Sequence, residues 1–230
     1  MRVALEWGPV GAAVLGARSD VLVVVDVLSF STAVTMAVEC GAQVWAHPGG
    51  PGAARLAEDV GAELAGTRGS TAPVTLSPAS LLGLGAGARL VLPTPNGSTI
   101  AFAAAGGSAE VVAGCLRNAS AVAQHIRKVE RIALVPAGER WPDGSLRPAY
   151  EDMVGAGAIA DRLQVLDPEV ELTPETEAVV LAFRALRPLE LCPSGIELVE
   201  RGYAEDVRLA SEVDANAAVP VLVDGRFIAS

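Results

Sequence analysis

Five branched aliphatic residues in a row, Val21-Leu22-Val23-Val24-Val25, lead into Asp26, Val27 and a more polar stretch, Leu28-Ser29-Phe30-Ser31-Thr32. An apolar run without alternation reads as a strand covered on both faces. The stretch after it reads as a turn, and residues 33–40 as a helix closed by Gly41. The same order recurs along the chain. Residues 43–46 predict a strand before a helix over 53–60, and residues 89–94 a strand before a helix over 99–105. Residues 111–116 predict a strand before a helix over 119–127, with Asn118 as its N-cap. A strand over 131–135 ends in Pro136-Ala137-Gly138-Glu139, and Tyr150-Glu151-Asp152 opens an Ala- and Gly-rich helix through about Leu163. Helix signals return over 176–186 and 194–209. A short strand over 219–223 then meets a tight turn at Asp224-Gly225. Residues 68–84, with Ser, Pro and Gly throughout, predict a long excursion able to cover one end of the sheet. This alternation predicts a three-layer α/β/α fold with a mostly parallel or mixed sheet, in one domain over residues 1–230 with room for two lobes.

Composition narrows the class. Hydrophobic residues make up 51% of the chain and aromatics only 4%, so the core has to be built from Val, Leu, Ala and Ile. The net charge of −10 argues against a nucleic-acid platform, which would want a basic stripe, and against an anionic membrane surface. A small anionic ligand stays compatible, because helix N-termini and a metal ion make locally positive pockets. Three isolated cysteines, Cys40, Cys115 and Cys192, show no metal-ligand spacing and fit a reducing, cytoplasmic setting. The N-terminal segment is broken by Glu6, Gly8 and Pro9 and does not read as a signal peptide. No apolar run approaches the roughly 20 residues of a membrane helix.

Polar groups concentrate where strands hand over to helices. Asp26 ends the most hydrophobic strand, and Ser29, Ser31 and Thr32 follow at a predicted helix start, where free N–H groups favour an anion. Asp26 reads either as a cap or as the centre of a site. Asn96-Gly97-Ser98 repeats the arrangement, with Asn-Gly able to turn successive N–H groups toward an oxyanion. Asn118 is a third strand-end candidate. Glu151 and Asp152 either complement their helix dipole or form a hard-cation site with Asp26. Three acids and a chain with only two histidines favour Mg²⁺ or Mn²⁺ over Zn²⁺. Glu139 and Arg140 follow another strand, and Arg68 lies in the excursion; arginine suits bidentate recognition of phosphate, sulfonate or carboxylate.

Taken in order, several segments resemble the 2-phosphosulfolactate phosphatase family. They are Val24 through Thr32, Thr94-Pro95-Asn96-Gly97-Ser98, Arg117-Asn118-Ala119-Ser120, Pro136-Ala137-Gly138-Glu139, and Tyr150-Glu151-Asp152 with Gly155-Ala156-Gly157. A looser match runs through Ser194-Gly195, Gly202, Asp206 and Val219-Pro220. The resemblance implies a Mg²⁺-dependent phosphatase that converts 2-phosphosulfolactate to sulfolactate and phosphate, a coenzyme M biosynthesis-type step. It implies catalytic and metal-binding roles for Asp26, Glu151 and Asp152. Substrate contacts are expected among Ser29, Ser31, Thr32, Ser77, Asn96, Gly97, Ser98, Asn118, Glu139 and Arg140. Two departures bear on the substrate. Ser29-Phe30 stands where the family's first motif commonly carries Arg-Ala, and Thr75-Leu76-Ser77-Pro78 stands where many members read Gly-Asn-Ser-Pro.

Asp26 is left open as nucleophile, metal ligand or general base. The alternatives are a haloacid-dehalogenase-like phosphatase, which wants an acid where Leu28 stands, and a small-anion-binding module without turnover. A nicotinamide dehydrogenase is poorly supported, because no GxGxxG follows the first strong strand. A small phosphomonoester is the expected partner, with homo-oligomerisation left open.

Overall fold

The computed structural model describes all residues, 1–230. Its strands are β1 (Arg2–Leu5), β2 (Val21–Val25), β3 (Gln43–His47), β4 (Glu63–Leu64), β5 (Arg89–Pro93), β6 (Glu110–Gly114), β7 (Arg131–Pro136), β8 (Glu139–Arg140), β9 (Leu146–Arg147), β10 (Glu171–Leu172), β11 (Pro220–Val223) and β12 (Arg226–Ala229). Its helices are α1 (Gly8–Gly16), α2 (Phe30–Glu39), α3 (Pro51–Val60), α4 (Gly97–Ala104), α5 (Ala119–Ile126), α6 (Tyr150–Leu166), α7 (Pro174–Arg184), α8 (Pro193–Glu200) and α9 (Ala204–Ser211). Ten strands form one sheet in the order β10-β1-β7-β2-β6-β11-β12-β3-β5-β4, and β8 pairs with β9 in a separate hairpin.

The sheet is mixed, in line with the sequence expectation. Strands β10, β1, β7, β2 and β6 are mutually parallel, as are β3, β5 and β4. The β11–β12 hairpin joins the two blocks and runs antiparallel to its neighbour in each, so the blocks point in opposite directions. Asp224 and Gly225 both take positive φ at its tip, the tight turn expected there.

Strand β2 shows how the layers are built. Val21, Val23 and Val25 face a core shared with α5, α6 and α7, while Leu22 and Val24 face a second core shared with α2 and α4. Alternate residues thus serve opposite faces, and both faces are covered, which is why the strand can be wholly apolar. Helix α2 is buried over its first nine residues, Phe30–Val38, and touches β3, β6, β11 and β12. The sheet curls around it. Twist accumulates at roughly 20–25° per strand pair, so five steps carry β5 through more than a right angle relative to β2. That rotation lets the loop after β5 meet the loop after β2.

Several boundaries differ from expectation. Helix α2 begins at Phe30, not Ala33, because the supposed turn residues Ser31 and Thr32 hydrogen-bond back to Val24 and Val27 carbonyls inside the first turn. The helix expected over 194–209 is two helices, α8 and α9, separated at Gly202, whose φ is 88°. Elements β1 and α1 carried no signal strong enough to be read. No helix is long and apolar enough to cross a membrane.

Small residues let α6 approach closely. A Cβ on Gly157 would lie 2.0 Å from the Val179 carbonyl oxygen of α7, and one on Gly155 would lie 2.6 Å from Val27 Cγ2. Gly157→Ala is therefore expected to lose at least about 2 kcal/mol of stability through forced displacement of α7. Urea unfolding checks this; a loss under about 0.5 kcal/mol would show that the α6–α7 contact is loose.

Candidate active site

Asp26 follows β2 and is 6% exposed. Its Oδ1 accepts the Phe30 N–H at 3.1 Å and its Oδ2 the Gly97 N–H at 2.8 Å. These donors belong to the first residues of α2 and α4, so two helix starts converge on one carboxylate. The anion that both dipoles hold is Asp26 itself. Gly97 is obligatory at this approach, because a Cβ would lie 2.6 Å from the Phe30 ring and 2.7 Å from Asp26 Oδ2.

Asp152, in the first turn of α6, repeats the device. Its Oδ1 accepts the Val27 N–H at 2.7 Å and its Oδ2 the Gly138 N–H at 2.8 Å, tying together the loops after β2 and β7. Glu151 beside it is 2% exposed, and its Oε2 accepts the Cys192 thiol at 3.2 Å. Glu139 completes the group, accepting from Asn96 Nδ2 at 3.0 Å. Asn96 Oδ1 is buried with no donor facing it.

The electrostatics follow from crowding four acids in low dielectric. Burial, then the charges of Glu139 and Glu151, raise the Asp26 pKa to about 6. Burial, then Asp26 and Glu151, hold Asp152 well above the usual carboxylate range. Glu139 is also raised, mainly by burial, with Asn96 pulling the other way. Burial and the neighbouring Glu151 push the Cys192 thiol up to about 12, so it remains a neutral donor. Cavities of about 470 Å³ beside Trp45 and about 440 Å³ between α1 and α4 are lined by none of these acids and are mostly apolar. The buried acids lie where the polar loops converge, not in those hollows.

The order of motifs around this cluster can be set against known proteins. A sequence profile of the 2-phosphosulpholactate phosphatase family matches residues 13–225. The chain belongs to that family. It is 32% identical over 219 residues to a Thermus thermophilus protein described as "Probable 2-phosphosulfolactate phosphatase", covering 90% of this chain and 89% of that one. A Deinococcus radiodurans protein of the same description is 32% identical over 225 residues, covering 90% and 89%. One from Parasynechococcus marenigrum is 30% identical over 224 residues, covering 89% of each. The 2-phosphosulpholactate phosphatase family takes its name from a phosphoric monoester hydrolase, the enzyme class expected from the sequence.

In this family member the structure gathers Asp26, Glu139, Glu151 and Asp152 with Asn96 and Gly97, and it gives other expected contacts different work. Asn118 is fully enclosed and spent on the protein: its Nδ2 donates to Thr35 Oγ1, the Ala113 carbonyl and the Ala218 carbonyl, and its Oδ1 accepts from Cys115. It has no atom free for substrate, and its side chain does not cap α5. Ser31 and Thr32 close the Asp26 turn, Ser31 also accepting the Asp26 N–H. Ser98 bonds the His47 and Thr94 carbonyls. Asn96-Gly97-Ser98 is therefore no open anion cradle, since the Gly97 N–H is taken by Asp26 and the Ser98 N–H by Thr94 Oγ1. Arg140 is exposed and reaches only the Gly144 carbonyl. Ser29 and Ser77 face partners across the excursion, Arg68 and Asp206. Cys192 carried no sequence signal for a contact with Glu151, 41 positions away.

The raised carboxyls carry a pH signature. A group less acidic in the fold than in the unfolded chain costs nothing while both states are protonated. Its penalty grows above about pH 4 and is complete above about pH 6. Glu139→Gln keeps an acceptor for Asn96 and removes one like charge. In chelator, its melting temperature is expected to exceed wild type by roughly 2–4 °C at pH 7.5 and to match it at pH 4. An equal offset at both pH values would exclude charge crowding as the cause.

Proposed function

We propose that this protein is a Mg²⁺-dependent phosphatase acting on a small phosphomonoester, with 2-phosphosulfolactate, the compound in its relatives' names, as the leading substrate. The carrying observation is Asp26: a desolvated carboxylate bracketed by two helix starts and crowded by three further acids. The proposal takes the cytoplasm as the setting, where the free thiols of Cys40, Cys115 and Cys192 stay reduced.

The donor set suits a hard divalent cation. It offers carboxylate oxygens made less acidic by mutual repulsion, and a buried amide oxygen, Asn96 Oδ1, without a donor. No three Asp, Glu, His or Cys side chains already converge as a complete cage. Mg²⁺ does not require one, because it binds through one or two carboxylates and keeps water and substrate oxygens as ligands. Asp26, with Glu139, Glu151 or Asp152 and the Asn96 amide, would hold it. A bound Mg²⁺ would neutralise charge on the phosphoryl oxygens and acidify a coordinated water.

The protein's own groups supply position and proton control. The Phe30 and Gly97 N–H groups fix both Asp26 oxygens, so the carboxylate needs no reorganisation when substrate arrives. Without metal, a pKa of about 6 leaves Asp26 partly protonated near neutrality, so binding of the ion would displace that proton. Asp152 clamps the loops that carry Asp26 and Glu139, and the charge of Asp26 acts on it through space, helping to raise its pKa.

Phosphate release from 2-phosphosulfolactate should disappear in chelator and return with added Mg²⁺. Asp26→Asn should fold, as judged by circular dichroism, and turn over roughly 10²–10⁴-fold more slowly. Full turnover in metal-free protein, or an active Asp26→Asn variant, would contradict the assignment.

A further inference from the structure

The excursion between β4 and β5 is fastened to the body at one buried carboxylate. Asp206, in the first turn of α9, is 1% exposed. It accepts the Arg68 Nε–H at 2.9 Å, the Ser77 hydroxyl and the Ala79 N–H at 3.2 Å. Three donors from both ends of the excursion thus meet on a single side chain from helix α9. Arg68 gains most in definition. Its guanidinium packs over the Tyr203 ring at 5.6 Å, and its Nη2 donates to Ser29 Oγ, one residue before the Phe30 N–H that holds Asp26. Its side chain is 11% exposed. Nη1 makes no hydrogen bond within the chain and is not fully enclosed.

Holding a buried arginine this firmly fixes its plane and direction in advance. Asp206 takes the Nε side and Tyr203 the face, leaving the outer Nη edge at the loop that carries Asp26. A guanidinium edge presents paired donors spaced for a carboxylate, sulfonate or phosphate. Because its orientation is already set, little side-chain entropy is lost on binding. Ser77 and Ala79 fasten the excursion to Asp206 together with Arg68, and the Arg68 contact with Ser29 places a cation beside the loop that carries Asp26.

We infer that Arg68 is the specificity-determining residue of this site, its Nη edge receiving a second acidic group, carboxylate or sulfonate, on a phosphomonoester whose phosphoryl group lies at the Asp26 cluster. The inference rests on the phosphatase reading, but the sulfolactate-binding arm of its test does not.

The test compares wild type, Arg68→Met and Arg68→Lys on 2-phosphosulfolactate, which carries further acids, and on p-nitrophenyl phosphate, which carries none. Removing the charged contact should lower kcat/KM for the first by roughly 10–100-fold, mainly through KM, and should lower it for the second by a much smaller factor. Arg68→Lys, which keeps the charge without the fork, should fall between them and serves as the folded comparison if Arg68→Met is unstable. Calorimetric binding of sulfolactate, which has no phosphate, should weaken in the same order, most in Arg68→Met and less in Arg68→Lys, and this arm needs no turnover. If wild type hydrolyses neither phosphomonoester, the phosphatase reading fails and sulfolactate binding alone decides Arg68. Equal losses on both substrates, unchanged KM, or sulfolactate binding that is absent from wild type or indifferent to Arg68 would overturn the inference.

Discussion

Everything at this site depends on keeping ionisable carboxyls out of water while leaving them usable. Asp26 and Asp152 each accept two backbone N–H groups, and each is nevertheless less acidic than a free carboxyl, because burial and mutual repulsion outweigh those bonds. The four hydrogen bonds position the groups without neutralising them. A site with this imbalance favours a cation, a shared proton or both, and that preference is the physical content of the functional proposal. The same hydrogen bonds bind together the loops after β2, β5 and β7, so the placement of the acids and the closure of the fold are one set of contacts.

The sheet explains how the loop after β5 comes to participate. The β11–β12 hairpin reverses the direction of the second parallel block, which in a flat sheet would send Gly97 to the far edge. Curling around the buried helix α2 returns it to Asp26. The close approaches of Gly97, Gly155 and Gly157 are part of that geometry, since each stands where a side chain would collide with its neighbour.

Much of this was legible in the residues. The aliphatic run ending in Asp26, the Asp224-Gly225 turn and the acidic start of α6 all carry local signals that survive in the structure. The misread positions share one cause. Ser31, Thr32, Ser98 and Asn118 are types that cap, close turns or bind ligands with equal ease, and sequence alone does not show which partners they meet. Here they meet carbonyls and one another. What stayed hidden is nonlocal: Cys192 against Glu151, and Asp206 gathering Arg68, Ser77 and Ala79 from more than 120 positions away. Strand β1, four residues long, and helix α1, which carries a proline and three glycines, were too short or too atypical to register. Their places come from pairing with β7 and packing against α4, which are tertiary effects.

The central claim is that Asp26 is an under-neutralised carboxyl awaiting positive charge. The direct measurement is a carbon-detected NMR titration of its side-chain carboxyl, first in chelator and then in saturating Mg²⁺. The account expects a midpoint of about 6 without metal and a marked drop once the ion is present. A midpoint near the ordinary value of 3.8 in chelator, unchanged by Mg²⁺, would contradict it.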